Sequence, residues 1–333
     1  MKQGRTIQEL AAELQRQQGA KYDFITHTQN LDLSEDAQRL EVYGKSYIIS
    51  PLFHRQLAAS FQIPWPFYER LLREGDELLV SSIARYMLYK HDTKRTIRTM
   101  DGTARAFLSD RYRQIDNDEV AAAVLPILYQ MTDAQIESCE ITPNKLYIKV
   151  TNPRLVADVR VGDPVQGGLL VFNSEVGLGA VGVCVFVKRL VCSNGMIVSD
   201  LGHRKHHIGR ENEESWDLYS DDTRKAENKA LLLKLGDVVQ AAVDEAKFQV
   251  VVDKLRDAAD RKIEKVDEVM EVTAERFGFN KAETSCILQR FIEGADLTYY
   301  GLSNAVTRAS NDMEDYDRAT ELERIGWQII TNA

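Results

Sequence analysis

Between Lys94 and Val198 apolar and polar residues alternate in short runs broken by turn signals, whereas beyond Asp221 apolar residues recur at helical spacing in a charged background. This change of period constrains the fold more than any other feature of the chain. A period of two puts successive side chains on opposite faces of a sheet, and a period near 3.6 puts them on one stripe of a helix. A chain that shows first one and then the other reads as α+β: a mixed, mostly antiparallel sheet with flanking helices, followed by a long-helical C-terminal region. The expected division is an α+β core with basic segments over residues 1–220 and a helical acidic region over 221–333.

Local signals fill in the elements. Ile7, Leu10, Ala11 and Leu14 predict an amphipathic helix over 5–18. Residues 40–49 read as a hairpin turning at Gly44-Lys45. Short helices over 54–61 and 67–73 flank the Ile63-Pro64-Trp65-Pro66 break, and a longer one follows over 76–89. Asp101-Gly102 is a strong two-residue turn between the strands KRTIRTM and TARAFL. Asp116 or Asn117 is suited to cap a helix over Asn117–Gln130. Strands are expected near 134–141, 145–150, 155–161, 168–173 and 180–187, and the last continues through 186–198 with a positive-φ turn at Asn194-Gly195. Residues 223–277 predict one or two long helices, with shorter ones near 280–292, 297–309 and 313–328.

The chain has 333 residues, 44% of them hydrophobic, enough for a sizeable core without cross-links. Four cysteines, Cys139, Cys184, Cys192 and Cys286, show no CxxC spacing and are expected to be reduced thiols. The N-terminal stretch carries no apolar signal-peptide core, and no run approaches a membrane span, so the expected setting is the cytoplasm, with no membrane partner. The net charge of −9 is unevenly spread. Residues 1–210 hold 26 Lys/Arg against 24 Asp/Glu, and residues 211–333 hold 16 against 27. The acidity therefore belongs to the helical part and does not preclude a polyanionic partner for the first part.

Three segments carry candidate chemistry. From Arg85 to Arg113 there are eight Lys/Arg and three Asp. Alternation puts Lys94, Thr96 and Arg98 on one face of a strand and Arg95 and Ile97 on the other, with Arg105 across the hairpin. A row of cations on a sheet suits phosphates, and Phe107, Tyr112 and Tyr89 are placed to stack bases. The competing reading is a hairpin whose cations pair with local acids. In Phe172–Met196, Gly177, Gly179 and Gly182 lack the order of a phosphate loop and suit bends between strands, while Lys188 and Arg189 face opposite sides. The third segment is basic: His203, Arg204, Lys205, His206 and His207, with Arg210 after it. Its histidines match no standard zinc spacing, so no metal or other cofactor is expected. There is no GxSxG elbow and no HExxH, and no catalytic residue is assigned. Asp312, Glu314, Asp315 and Asp317 suit a solvated helix face better than a two-metal site.

The runs ARAFLSDRYRQIDN (104–117), NSEVG (173–177) and RLVCSNGM (189–196), with the basic histidine segment after them, resemble a family of phage- and plasmid-borne proteins of unknown function. Gln56-Leu57-Ala58 followed by Ile63-Pro64 resembles its N-terminal pattern, and the likeness covers roughly residues 40–300. The family offers no settled catalytic residues, and its mobile-element context implies work on DNA. A further fold-level likeness, to phage single-strand annealing proteins that form rings on DNA, implies a homo-oligomer that pairs complementary strands. On that implication single-stranded DNA or the annealed duplex would lie against Lys94, Arg95, Arg98, Arg105, Phe107, Arg111, Tyr112, Arg113, Lys188, Arg189, Asn194, Arg204, Lys205 and His206. A host single-strand-binding protein or a phage exonuclease would be the protein partner. The alternatives are a host-factor-binding protein whose acidic helices mimic nucleic acid, and a metal-dependent nuclease.

Overall fold

A computed structural model describes residues 1–131, 133–205, 221–241 and 245–332. It contains two open sheets where the sequence suggested one, with the helical region packed on the second; the class is α+β as expected.

The first sheet has six strands. Helix α1 (Ile7–Ala20) opens the chain on a capping box between Thr6 and Glu9 and leads into β1 (Phe24–His27), β2 (Asp32–Leu33), β3 (Arg39–Val42) and β4 (Lys45–Ile49). Helices α2 (Pro51–Ser60), α3 (Trp65–Glu74) and α4 (Glu77–Lys90) precede the hairpin β5 (Lys94–Met100) and β6 (Thr103–Ser109). The strand order is β1-β5-β6-β4-β3-β2, and the β4–β6 pair alone among these is parallel. Asp101 and Gly102 take φ of 51° and 72°, the left-handed pair that a tight hairpin turn needs. Phe53, Leu57, Tyr68, Val80 and Leu88 from the three helices bury one face of the sheet against Leu40, Ile49, Ile97 and Phe107.

Helix α5 (Asn117–Gln130), capped by Asp116 with Glu119 reaching back, joins the two sheets. The second sheet is wholly antiparallel in order β11-β10-β9-β8-β7, with β7 (Gln135–Ile141), β8 (Leu146–Arg160), β9 (Asp163–Asn173), β10 (Val181–Arg189) and β11 (Asn194–Lys205). The segments expected as separate strands over 145–150 and 155–161 are the single strand β8, whose register shifts between Thr151 and Val156. A bulge of this kind leaves residues unpaired without ending the strand, so a gap in alternation mimics a loop. The positive-φ residue of the β10–β11 turn is Ser193, not Asn194-Gly195; Asn194 already pairs with Arg189.

Beyond the sheets lie α6 (Asp221–Ala241), α7 (Glu245–Asp260), α8 (Val266–Phe277), α9 (Lys281–Gly294), α10 (Tyr299–Ala309) and α11 (Tyr316–Asn332). The stretch expected as one or two helices over 223–277 is thus three, the last closed by Gly278 at φ 63°. Leu235 and Val239 of α6 join α1 and α5 against Ile148, Val150, Leu169 and Val183. Phe248, Val251 and Leu255 of α7, with Tyr300 and Trp327, cover Leu155, Val165, Val185, Val187 and Val198. On the opposite face of the second sheet Lys149 of β8 and Glu323 of α11, both fully buried, pair at 2.6 Å beside Tyr316. No helix among the described residues is long and apolar enough to cross a membrane.

Candidate functional site

The two sheets meet at a buried ion cluster. Arg98 projects from β5 with no exposed surface; its Nε and Nη2 donate to Asp23 Oδ2 at 2.9 and 2.7 Å, its Nη1 to the Glu175 carbonyl at 2.9 Å, and its Nη2 also to Asp116. Lys21 Nζ lies 2.6 Å from Glu175 Oε1, 3.3 Å from Asp118 Oδ1 and 3.7 Å from Asp116 Oδ2. Arg105 on β6 reaches Glu175 Oε2 at 3.1 Å, and the Asn117 amide donates to Glu175 Oε1 at 2.7 Å. Burial alone would raise the Asp116 and Glu175 carboxyls, but the Arg98 and Lys21 charges outweigh it and hold both below the usual carboxylate range. Oxygens of Asp116, Asp118 and Glu175 come within 4.8 Å of one another, a spacing that suits a divalent cation, yet the Lys21 ammonium bonds all three carboxylates. The cluster as folded is a set of internal ion pairs.

Above this cluster opens a cleft of about 340 Å³. Its floor is Thr96 and its cross-strand neighbour Ile25; one wall is the segment Asp110–Asp116 with Glu119 of α5, and the other is Lys225 and Asn228 of α6. Helix α6 is held there by Asn228 Nδ2 donating to the Gln114 carbonyl at 2.9 Å and by the Arg113–Glu227 ion pair. Alternation explains the placement. Lys94, Thr96 and Arg98 share one face of β5, so Arg98 enters the ion cluster, Thr96 paves the cleft, and Lys94, opposite His27 at the start of the strand, is exposed. Burial raises the Glu119 carboxyl, and the Asp116 and Asp118 charges add to it. The cleft therefore offers acceptors (Asp110, Glu119), amides (Gln114, Asn228) and one cation (Lys225). Clefts of about 300–1,000 Å³ are the size that small organic ligands occupy.

The residues expected to bind nucleic acid divide into three groups. Lys94, Arg95 and Arg111 keep exposed surface around the start of β5; Arg95 lies 5.2 Å over the Phe107 ring. Arg98, Arg105, Phe107, Tyr112 and Asn194 are buried, and Arg113, Lys188 and Arg189 are engaged by Glu227, Glu137 and Asp163. These eight have no free charge or open ring face as folded; Arg98, Arg105 and Arg113 pair with acids that are mostly remote from the hairpin, Asp23, Glu175 and Glu227 among them, because they sit between layers where an unpaired charge is costly. Tyr112 donates to the Ser174 carbonyl at 2.9 Å and Phe107 packs with Phe53, so neither presents a face for stacking. Arg204 and Lys205 are placed by their backbone alone, opposite Gly182 and Val181 on β10, and His206, His207 and Arg210 lie outside the described residues. Of the acidic residues around the start of α11, Asp317 accepts from Thr142, Asn144 and Tyr147, and Asp312 accepts from Arg290, so both dock helices.

Sequence reasoning missed Lys21, Asp23 and Glu175 in the cluster and Lys225 and Asn228 in the cleft. Glu175 lies inside the NSEVG run and was within reach. Lys225 arrives from 110 residues beyond the segment it faces, and nothing local announces it.

The arrangement defines a two-sheet α+β protein with a charged cleft at the sheet junction. The chain belongs to the DUF932 family, a domain of unknown function, whose model matches residues 105–321. That range takes in β6 from Arg105 onward, the Asp110–Asp116 wall, the NSEVG and RLVCSNGM runs and both cleft residues of α6. Neither the curated proteins nor the solved structures contain a match to the chain.

Proposed function

We propose that the chain binds single-stranded DNA at the β5 end of the six-stranded sheet, with the adjoining cleft receiving a nucleotide, and that as a homo-oligomer of phage or plasmid origin it promotes annealing of complementary strands in the host cytoplasm. The observation that carries this reading is the grouping of exposed cations and tyrosines there. Lys90 ends α4, Lys94 and Arg95 begin β5, and Arg111 follows Ser109, the register partner of Arg95. Tyr86 and Tyr89 are 59% and 73% exposed on the last turns of the same α4, with the Lys90 ammonium 5.3 Å over the Tyr86 ring. Cations that follow a backbone beside aromatic faces that stack bases are the general means of holding single strands. In the cleft, Asp110, Gln114 and Glu119 supply the acceptors and amide that base edges require, while Lys225 stands beside them for phosphate. No covalent step is needed. A host single-strand-binding protein or a phage exonuclease would be the partner in such a pathway.

Fluorescence anisotropy of a labelled oligo-dT across a salt series tests it. Affinity should fall steeply between about 50 and 300 mM salt, and Lys94→Glu/Arg111→Glu should weaken binding roughly tenfold or more and flatten the salt slope. Both residues are surface groups, so the variant keeps its fold. Binding that is absent at low salt, or identical in the variant, would overturn the proposal.

A second reading, capture of a host protein by the acidic helices, draws on Leu233, Val272 and Ile292, which are 63–69% exposed on α6, α8 and α9. In that case a Val272→Asp/Ile292→Asp variant loses the partner in a pull-down while oligo-dT binding is unchanged.

A further inference from the structure

The RLVCSNGM run lies far from the cleft in sequence and takes no part in it. Arg189 forks onto Asp163 at 2.6 and 2.8 Å, and Asp163 also accepts from the Tyr300 hydroxyl at 3.1 Å. Asn194 Nδ2 donates to Thr307 Oγ1 at 2.6 Å and to Asn304 Oδ1 at 3.3 Å. The end of the β10–β11 hairpin is thereby fastened to α10. Beside this contact is a pocket of about 50 Å³ whose lining includes Arg189, Cys192, Arg290, Asn304 and Arg308.

Three guanidinium groups around so small a space are unusual, and their pairing is unequal. Arg290 is committed, with Asp312 at 2.7 Å and Glu293 at 3.0 Å. Arg189 is committed to Asp163, with one further N–H directed to Cys192 Sγ at 3.6 Å. Arg308 has a single partner among the described residues, Glu293 at 3.4 Å, and that carboxylate already serves Arg290. An arginine carries five N–H donors in a planar fork, so most of those on Arg308 are left without a partner among the described residues. Asn304 has its oxygen taken by Asn194 and its amide by the Tyr300 hydroxyl. The carboxylate in the lining, Asp296, is bound to Arg160 at 3.0 Å and to Thr298 at 2.8 Å. The lining is thus rich in donors, with its acceptors already occupied. At about 10–15 Å³ per water on this measure, the volume holds roughly four waters, which suits one tetrahedral oxyanion and excludes a nucleoside.

We infer that this pocket is a binding site for a single phosphate group, either inorganic phosphate or the terminal monoester of a larger molecule, with the Arg308 fork as its ligand and the paired guanidinium groups of Arg189 and Arg290 lining the space beside it. Planar forks that meet oxyanions in pairs of charge-assisted bonds are the strong form of such contacts. The site is independent of the cleft and of the DNA-binding reading.

Thermal unfolding of the full chain against inorganic phosphate, with chloride matched in ionic strength, tests the inference. A saturable rise in the midpoint with phosphate but not chloride is expected, lost in Arg308→Ala and partly kept in Arg308→Lys. Because Arg308 holds one long surface ion pair, its removal leaves the phosphate-free midpoint close to that of the parent chain. A 5′-phosphorylated and a 5′-hydroxyl oligonucleotide separate the two sources: a stronger response to the first than to inorganic phosphate assigns a monoester terminus, and no such gain assigns the free anion. A phosphate effect equal to that of chloride, or equal in the parent chain and Arg308→Ala, overturns the site whatever the outcome with oligo-dT.

Discussion

Glu175 is 2% exposed and accepts from Lys21, Arg105 and the Asn117 amide at once. Replacing it by Gln keeps the shape and strands the buried Arg105, while Lys21 keeps Asp116 and Asp118; a change of this kind costs about 3–5 kcal/mol where one partner of a buried pair is lost. Urea unfolding of Glu175→Gln should show that loss, whereas Lys94→Glu at its exposed position should stay within about 0.5 kcal/mol of the parent chain. His54 offers a test in pH. It is 5% exposed, its Nδ1 lies 3.0 Å from the Tyr68 hydroxyl, and burial pushes it from an ordinary 6.5 down to about 4. Between those values the unfolded chain takes up a proton that the folded chain refuses. Its contribution is therefore complete above about 6.5 and is lost as pH falls toward about 4. Stability measured across that window should depend less steeply on pH in His54→Gln. At this scale residue types were legible in the sequence but burial was not: Lys94 and Arg98 look alike in an alternating strand, and only the second sheet, packed over one end of β5, separates them.

Among elements, the hairpin β5–β6 and helix α5 were legible because their signals are local: Asp-Gly at a turn, and Asp with Glu three positions on at a helix start. The bulge in β8 and the end of α8 depend on register and packing, which alternation does not carry. Two glycines separate the effects of conformation and space. Gly102 has φ 72°, and a methyl group in place of its α-hydrogen would meet nothing within 4 Å, so Gly102→Ala should cost about 1 kcal/mol, from backbone conformation alone. Gly168 on β9 has ordinary φ, but a Cβ there would stand 2.0 Å from the Val150 carbonyl oxygen on the neighbouring strand. Gly168→Ala must push β8 and β9 apart and should destabilise more than Gly102→Ala in the same denaturant titration.

For the whole molecule, composition and period were enough for the α+β class and not for the arrangement. Two sheets, a parallel β4–β6 pair and a cleft walled from residues 25, 96, 113 and 225 all come from contacts between segments remote in sequence. The helices after Asp221 are acidic, yet their apolar stripes cover the second sheet. Removing residues 221–333 would uncover Leu155, Val185, Val187 and Val198 and take away the Lys225 wall of the cleft. Such a fragment should aggregate or unfold without a cooperative transition in calorimetry, so loss of partner capture on truncation would say little about the helices themselves; the point variants on α8 and α9 are the informative ones.

Strand β8 runs through both packed layers: Ile148 and Val150 lie under α1, α5 and α6, and Leu155 and Val159 under α7. β10 does the same along its length, with Val183 in the first cluster and Val185, on the same face of the sheet, in the second. An amide midway along these strands sits in a ladder that both clusters hold in place, so the loosening of one cluster alone does not release its hydrogen to solvent. The slowest-exchanging protons of the chain should therefore report a single free energy shared by both layers, and should quicken together whether the damage is made in α5 or in α7.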